Sequence, residues 1–124
     1  MGRFSIFIVE DNSLYTYFLN ESLQECGNFN ITTFDNAEKC LLSLDENPDM
    51  IILDYFLEKG MNGKDAFTSI QQKHPEVPVV VLSAQSDVQV AADLVQAGVY
   101  EYIEKRDDQF LYKLKNAILN ISHK

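Results

Sequence analysis

The chain has no tryptophan and, among its 124 residues, only two cysteines, three prolines and five glycines. Cys26 and Cys40 lie far apart, with no histidines at metal-ligand spacing, which argues against a disulfide framework or a zinc site. They read as free thiols of a reducing compartment. His74, ahead of a proline, and His123, next to last, read as solvated surface residues. No linker, low-complexity tract or internal repeat is present. No apolar run outlasts a strand of about 4–8 residues, far short of the roughly 20 a membrane span needs. Met1-Gly2-Arg3-Phe4 leads at once into the first apolar run and leaves no room for a signal peptide, and position 6 lacks the serine or threonine of a myristoylation motif. Positive charge is scarce too. Ten basic residues face 19 acidic ones, and a net charge of -9 argues against direct nucleic-acid binding.

What remains is an ordinary globular composition, 46% hydrophobic and 23% charged, in a length that suits one domain. Strand and helix patterns alternate five times. Phe4–Val9 is a first strand, and Asn12 or Ser13 caps a helix with Leu14, Phe18, Leu19, Leu23 and Cys26 on one face. Phe29–Phe34 alternates as a half-buried second strand. Asp35 or Asn36 caps a helix carrying Ala37, Leu41 and Leu44, which Asn47-Pro48 ends. Met50–Leu53 is apolar throughout, as in a strand buried on both faces. After a turn-rich loop, a helix over 63–73 buries Ala66, Phe67 and Ile70, and Pro78–Leu82 is a second fully apolar strand. Ser86 or Asp87 caps a helix with a stripe of Val88, Ala91, Ala92 and Val95, stopped at Gly98. Tyr100–Ile103 is the last strand. Asp107 opens a final helix with Phe110, Leu114, Ala117, Ile118 and Ile121 facing in.

This alternation predicts an α/β fold, a (βα)5 three-layer sandwich with a parallel sheet. The most apolar strands, the first, third and fourth, belong in its centre. That ranking fits the flavodoxin-like doubly wound order 2-1-3-4-5. Polar residues then gather at the carboxyl edge, where such sheets bind ligands. Glu10 and Asp11 follow the first strand, Asp54 the third, Ser83 the fourth and Lys105 the fifth. Any one of these is more often a turn former, a cap or a solvated charge. Their joint placement is the signal. Three carboxylates on one rim repel unless a cation or proton is shared among them, which points to a Mg²⁺ site containing a reactive aspartate.

Over its whole length the chain resembles the receiver domain of two-component response regulators, the CheY-like family. The match rests on Glu10-Asp11, Asp54, Met61-Asn62-Gly63, Ser83-Ala84, Ala97-Gly98 and Tyr102-Ile103-Glu104-Lys105, with 43 residues from Asp11 to Asp54, 29 to Ser83 and 22 more to Lys105. The resemblance implies a single receiver domain over 1–124 without an output domain, in a bacterial cytoplasm. It implies that Asp54 accepts a phosphoryl group from a phosphohistidine on a sensor histidine kinase or histidine phosphotransfer protein, without turnover as an enzyme. It also implies that Glu10, Asp11, Asp54 and the backbone carbonyl of Phe56 hold Mg²⁺, with Mn²⁺ as a substitute. Ser83, Ala84 and Lys105 would bind the phosphoryl group, and Tyr102 would turn inward as the switch. The fourth helix, fifth strand and fifth helix would form the face for a downstream protein or a homodimer. Phe56 and Gln85, flanking the acyl phosphate, would modulate its hydrolysis.

Three departures stand out. The loop after Asp54 has Glu58 where the family usually has proline, and Gly63 comes one residue late, so the loop is one residue longer. Arg106 stands where a cis proline commonly follows the lysine, and at a non-proline residue a cis bond costs about 2.5–4 kcal/mol, so a trans bond is expected. Phe56 is large, which would exclude water and lengthen the phosphorylated lifetime. Rival readings are weaker. A haloacid-dehalogenase-type phosphatase needs a second acid two residues after its nucleophile, where Phe56 stands. A flavin or nucleotide site needs a phosphate-cradling loop, and Glu10-Asp11-Asn12 would repel phosphate without a metal. A pseudo-receiver that binds proteins without phosphorylation is the remaining alternative.

Overall fold

A computed structural model describes residues 3–123, so Met1, Gly2 and Lys124 lie outside the described residues. Five strands, β1 (Ser5–Val9), β2 (Asn30–Phe34), β3 (Met50–Asp54), β4 (Val79–Ser83) and β5 (Glu101–Glu104), alternate with helices α1 (Ser13–Gln24), α2 (Ala37–Leu42), α3 (Gly63–Lys73), α4 (Val88–Ala97) and α5 (Phe110–Ser122). A short 3-10 turn, Leu44–Glu46, follows α2 and ends at Asn47 in the left-handed region. The strands form one parallel sheet in the order β2-β1-β3-β4-β5. All five residues of β3 and of β4 are buried, whereas the edge strands are mixed. The apolar ranking of the strands therefore reflects their place in the sheet.

Strand side chains alternate between the two faces and build a core on each. Phe7, Val9, Ile51, Leu53, Val79 and Val81 pack against α2, α3 and α4. Ile6, Ile8, Met50, Ile52, Val80 and Leu82 pack against α1 and α5. Four helices start in the same way: Asn12, Asn36, Asn62 and Asp87 each accept a hydrogen bond from the backbone N–H three residues on. Each side chain satisfies a donor that the helix itself leaves open. The fifth starts through a turn, with Asp107 Oδ1 accepting from Gln109 N at 2.8 Å and the helix proper beginning at Phe110.

Two predicted helix faces are turned from the observed ones. On α1, Leu14 is 81% exposed and Phe18 is also exposed, while Cys26 lies beyond the helix end and is exposed too; the docked row is Tyr15, Leu19 and Leu23. On α4, Val88 and Val95 are 84% and 53% exposed, and Leu94 is the buried residue. Both helices are apolar on more than one side, so periodicity could not single out the row that meets the sheet. His74 is half-buried, with Nδ1 3.0 Å from Glu76 Oε1, rather than fully solvated. Cys40 is buried, which pushes its thiol up to about 12. No helix among the described residues is long and apolar enough to cross a membrane.

Candidate functional site

The sheet's carboxyl edge opens into a cleft of about 400 Å³, lined by Glu10, Asp11, Asn12, Asp54, Phe56, Glu58, Lys59, Ala84 and Lys105. Glu10 follows β1 and Asp54 ends β3, and pairing of these neighbouring strands brings the two carboxylates together. Each of Glu10, Asp11 and Asp54 offers an oxygen within 4.8 Å of the others. Glu10 and Asp54 are only 3% and 4% exposed. Burial pushes the Glu10 carboxyl above its ordinary range and the Asp54 charge adds to this, while the hydrogen bond from Lys105 pulls it back.

Lys105 follows β5, its backbone N–H bonded to Ser83 O at 2.7 Å. Its Nζ lies 2.7 Å from Glu10 Oε1 and 3.5 Å from Asp54 Oδ1, with the side chain 15% exposed. One ammonium thus pairs with two carboxylates of a cluster of three. The expected trans geometry holds, since the described residues contain no cis peptide bond.

Backbone donors fix the carboxylates. Asn12 N donates to Glu10 Oε2 at 3.1 Å, Glu58 N to Asp11 Oδ2 at 2.7 Å and Phe56 N to Asp54 Oδ1 at 3.3 Å. Among the described residues, Asp11 Oδ1 and Asp54 Oδ2 receive no hydrogen bond, which leaves an oxygen on each for a cation. An all-oxygen carboxylate set with unspent lone pairs fits a hard divalent ion such as Mg²⁺.

The extra loop residue is absorbed without displacing an acid. Gly60 takes φ 70°, and Met61 N donates to Glu38 Oε2 at 2.9 Å, pinning the loop to the first turn of α2. Gly63 brings α3 against the end of β3, so closely that a Cβ there would lie 2.4 Å from Tyr55 O.

Other predicted residues are placed differently. Ser83 is fully buried and its hydroxyl is engaged with the next loop, donating to Gln85 O at 3.0 Å and accepting from Gln85 N at 3.2 Å. The Tyr102 hydroxyl donates to the same Gln85 carbonyl at 3.2 Å, and its half-buried ring packs on the core beneath α4. Ala84 lines the cleft, whereas Ser83, Gln85 and Tyr102 do not. Phe56 lies at the cleft wall, 41% exposed, edge-on to Tyr55.

Sequence reasoning missed Tyr15. Lys105 Nζ sits 4.1 Å from the centre of its ring. Burial and the charges of Glu10 and Asp54 hold its phenol above the ordinary range, so the ring is neutral. The available signal was the row Tyr15, Leu19, Leu23, which places this tyrosine on the docked side of α1.

Comparison with known proteins agrees with this architecture. The model of the response regulator receiver domain matches residues 6–115. The DNA-binding transcriptional regulator NtrC of Salmonella typhimurium is 32% identical over 109 residues, which cover 87% of this chain and 23% of that protein. A cyclic di-GMP phosphodiesterase of Thermotoga maritima is 32% identical over 111 residues, covering 90% of this chain and 29% of that one. The chain thus spans under a third of the length of these relatives. A response regulator receiver domain protein from Clostridium thermocellum superimposes with a TM-score of 0.85 at 24% identity, covering 96% of this chain and 94% of that one, a likeness of fold. The chain belongs to the response regulator receiver domain family.

Proposed function

We propose that residues 1–124 act as one phosphoacceptor receiver domain in a two-component relay of the bacterial cytoplasm. Asp54 takes a phosphoryl group from a phosphohistidine on a sensor histidine kinase or a histidine phosphotransfer protein. The observation that carries this reading is the convergence of Glu10, Asp11 and Asp54 within 4.8 Å, with Lys105 Nζ 3.5 Å from Asp54. An oxygen of Asp54 attacks phosphorus, the N–P bond of the donor breaks, and its electron pair stays on the imidazole, which is then protonated from solvent. Such a transfer has little covalent work for the protein beyond positioning and neutralising charge. Lys105 supplies one positive charge at the acceptor. Glu10, Asp11, Asp54 and the Phe56 carbonyl would hold Mg²⁺, or Mn²⁺ in its place, which supplies the remaining neutralisation at the phosphoryl oxygens. Phe56, at the cleft wall, keeps water from the acyl phosphate and slows its hydrolysis, with Gln85 on the other side.

The switch lies in the β4–α4 loop. The hydroxyls of Ser83 and Tyr102 converge on the Gln85 carbonyl in the resting state. A phosphoryl oxygen on Asp54 competes for the Ser83 hydroxyl, loosens the loop beside Ala84, and lets Tyr102 settle further inward. The face of α4, β5 and α5 changes with it and is the surface offered to a downstream protein, an attached output domain or a second copy. This is a population shift needing only a few kcal/mol of bias.

Intact mass after incubation with acetyl phosphate tests the reading. Gain of one phosphoryl group that requires both Mg²⁺ and Asp54, and is lost in EDTA and in Asp54→Asn, supports it. No gain with acetyl phosphate or any kinase would instead favour a binding module independent of phosphorylation.

A further inference from the structure

Lys105 raises a positional problem. Its ammonium sits on a four-carbon stem with large rotamer freedom, and no proline follows it to stiffen the turn, since Arg106 stands there. In the resting site the closest partner of its Nζ is Glu10 Oε1, at 2.7 Å. Glu10 belongs to the acidic cluster a divalent cation would occupy. A cation that enters takes up that carboxylate and weakens its hold on Lys105. The pair that places the lysine at rest is therefore the one that loading the site dissolves.

One partner of Lys105 does not compete for the cation. The Tyr15 ring lies 4.1 Å beneath Nζ. The ring is fixed from its other sides. Its centre is 6.1 Å from that of Phe110 on α5 and 5.5 Å from that of Phe18, and α1 is docked through Leu19 and Leu23. The backbone of Tyr15 is held by the Asn12 cap, whose own N–H bonds Glu10. The first turn of α1 is thus built onto the acid site it serves. An ammonium over an aromatic face is attracted by the ring quadrupole, most strongly where little water intervenes, and this side chain is 15% exposed.

We propose that Tyr15 is a positioning residue for Lys105, an aromatic platform that keeps the ammonium beside Asp54 once the acids turn to a cation and a phosphoryl group. The inference rests on the reading of Asp54 as phosphoacceptor, but the platform itself can be tested without phosphorylation. The ring, and not its hydroxyl, is the working part.

The experiment uses the full chain with Tyr15→Phe and Tyr15→Leu. The first readout is the NMR signal of the Lys105 ε-methylene, assigned by its disappearance in Lys105→Arg, with and without Mg²⁺. A ring-current upfield shift is expected in the wild type and in Tyr15→Phe, in both conditions, and its loss in Tyr15→Leu. The second is the rate of phosphorylation by acetyl phosphate with Mg²⁺. Tyr15→Phe should stay within about twofold of wild type, and Tyr15→Leu should fall about five- to thirtyfold, the range for one desolvated cation–π contact. Urea unfolding confirms that Tyr15→Leu is folded before either readout is taken. A wild-type Lys105 signal without an upfield shift overturns the platform, as does a Tyr15→Leu rate equal to wild type or a Tyr15→Phe rate as low as that of Tyr15→Leu. If the wild type takes no phosphoryl group, the receiver reading fails, and the NMR comparison still decides the platform alone.

Discussion

Replacing Asp54 by asparagine should stabilise the fold when no divalent cation is present. In Asp54→Asn a carboxylate 4% exposed becomes a neutral amide of nearly the same shape. With ligand oxygens within 4.8 Å, its repulsion with each of Glu10 and Asp11 is roughly 3–4 kcal/mol at an effective dielectric constant near 20. Its attraction to Lys105 at 3.5 Å is about 5 kcal/mol on the same scale. The two repulsions exceed the one attraction by about 2 kcal/mol, and the burial cost of the charge points the same way. The hydrogen bond from Phe56 N survives on the amide oxygen, and Lys105 keeps Glu10. Urea unfolding in EDTA should therefore place Asp54→Asn about 2 kcal/mol above wild type, at an unchanged m-value. Added Mg²⁺ should narrow that gap, because wild type at a free concentration about 100 times its Kd gains about 2.7 kcal/mol and the variant, short of one ligand, gains less. The reasoning is refuted if Asp54→Asn is less stable than wild type in EDTA, or if both proteins gain equally from Mg²⁺.

Glu38→Ala should free the β3–α3 loop by removing the acceptor of Met61 N; hydrogen exchange at Met61 should accelerate, with a loss of about 1 kcal/mol in urea. Gly63→Ala should cost several times more, since its Cβ would meet Tyr55 O at 2.4 Å and force α3 off the end of β3; a thermal unfolding midpoint close to wild type would contradict this. Phe56→Asn should speed hydrolysis of phospho-Asp54, read as decay of the phosphorylated mass, and an unchanged lifetime would remove Phe56 from that role. A thiol reagent near pH 8 should modify Cys26 alone in the native chain, because burial holds the Cys40 thiol near 12, and both cysteines in urea.

The sheet was legible because burial on both faces leaves a simple trace: Met50–Leu53 and Val79–Leu82 are apolar without interruption, as central parallel strands are. The acids were legible for a related reason, since Glu10 and Asp54 end such runs and must lie at the sheet's edge. Helix faces were harder. In α4, Val88, Val90, Ala91, Ala92, Leu94 and Val95 offer two apolar stripes, and only tertiary docking decides that Leu94 meets the core. Side-chain partners across elements were beyond reach. The contact of Lys105 with Tyr15 spans 90 residues of sequence, and the hold of Glu38 on Met61 depends on a loop conformation that its composition does not specify.

The resting position of Ser83 follows from the same economy of partners. A hydroxyl with no exposure must find a partner, and the nearest loop supplies one: Ser83 both donates to and accepts from the backbone of Gln85. That arrangement satisfies a buried group and, on the proposed reading, also stores the switch. A neutral hydrogen bond of this kind contributes about 0.5–1.5 kcal/mol, whereas one to a charged oxygen contributes about 1.5–3 kcal/mol. A phosphoryl oxygen on Asp54 is such an acceptor, and Asp54 pairs in register with Leu82, the residue before Ser83. Exchanging the Gln85 carbonyl for that oxygen thus favours the switched loop by about 1 kcal/mol, and it leaves Tyr102 as the remaining donor to Gln85. An increment of that size moves an equilibrium only about fivefold, so the rest of the bias must come from the charge on the phosphoryl group acting on Lys105 and the loop. On the proposed reading the lysine then takes part in the switch as well as in the transfer, which gives its fixed placement a second consequence.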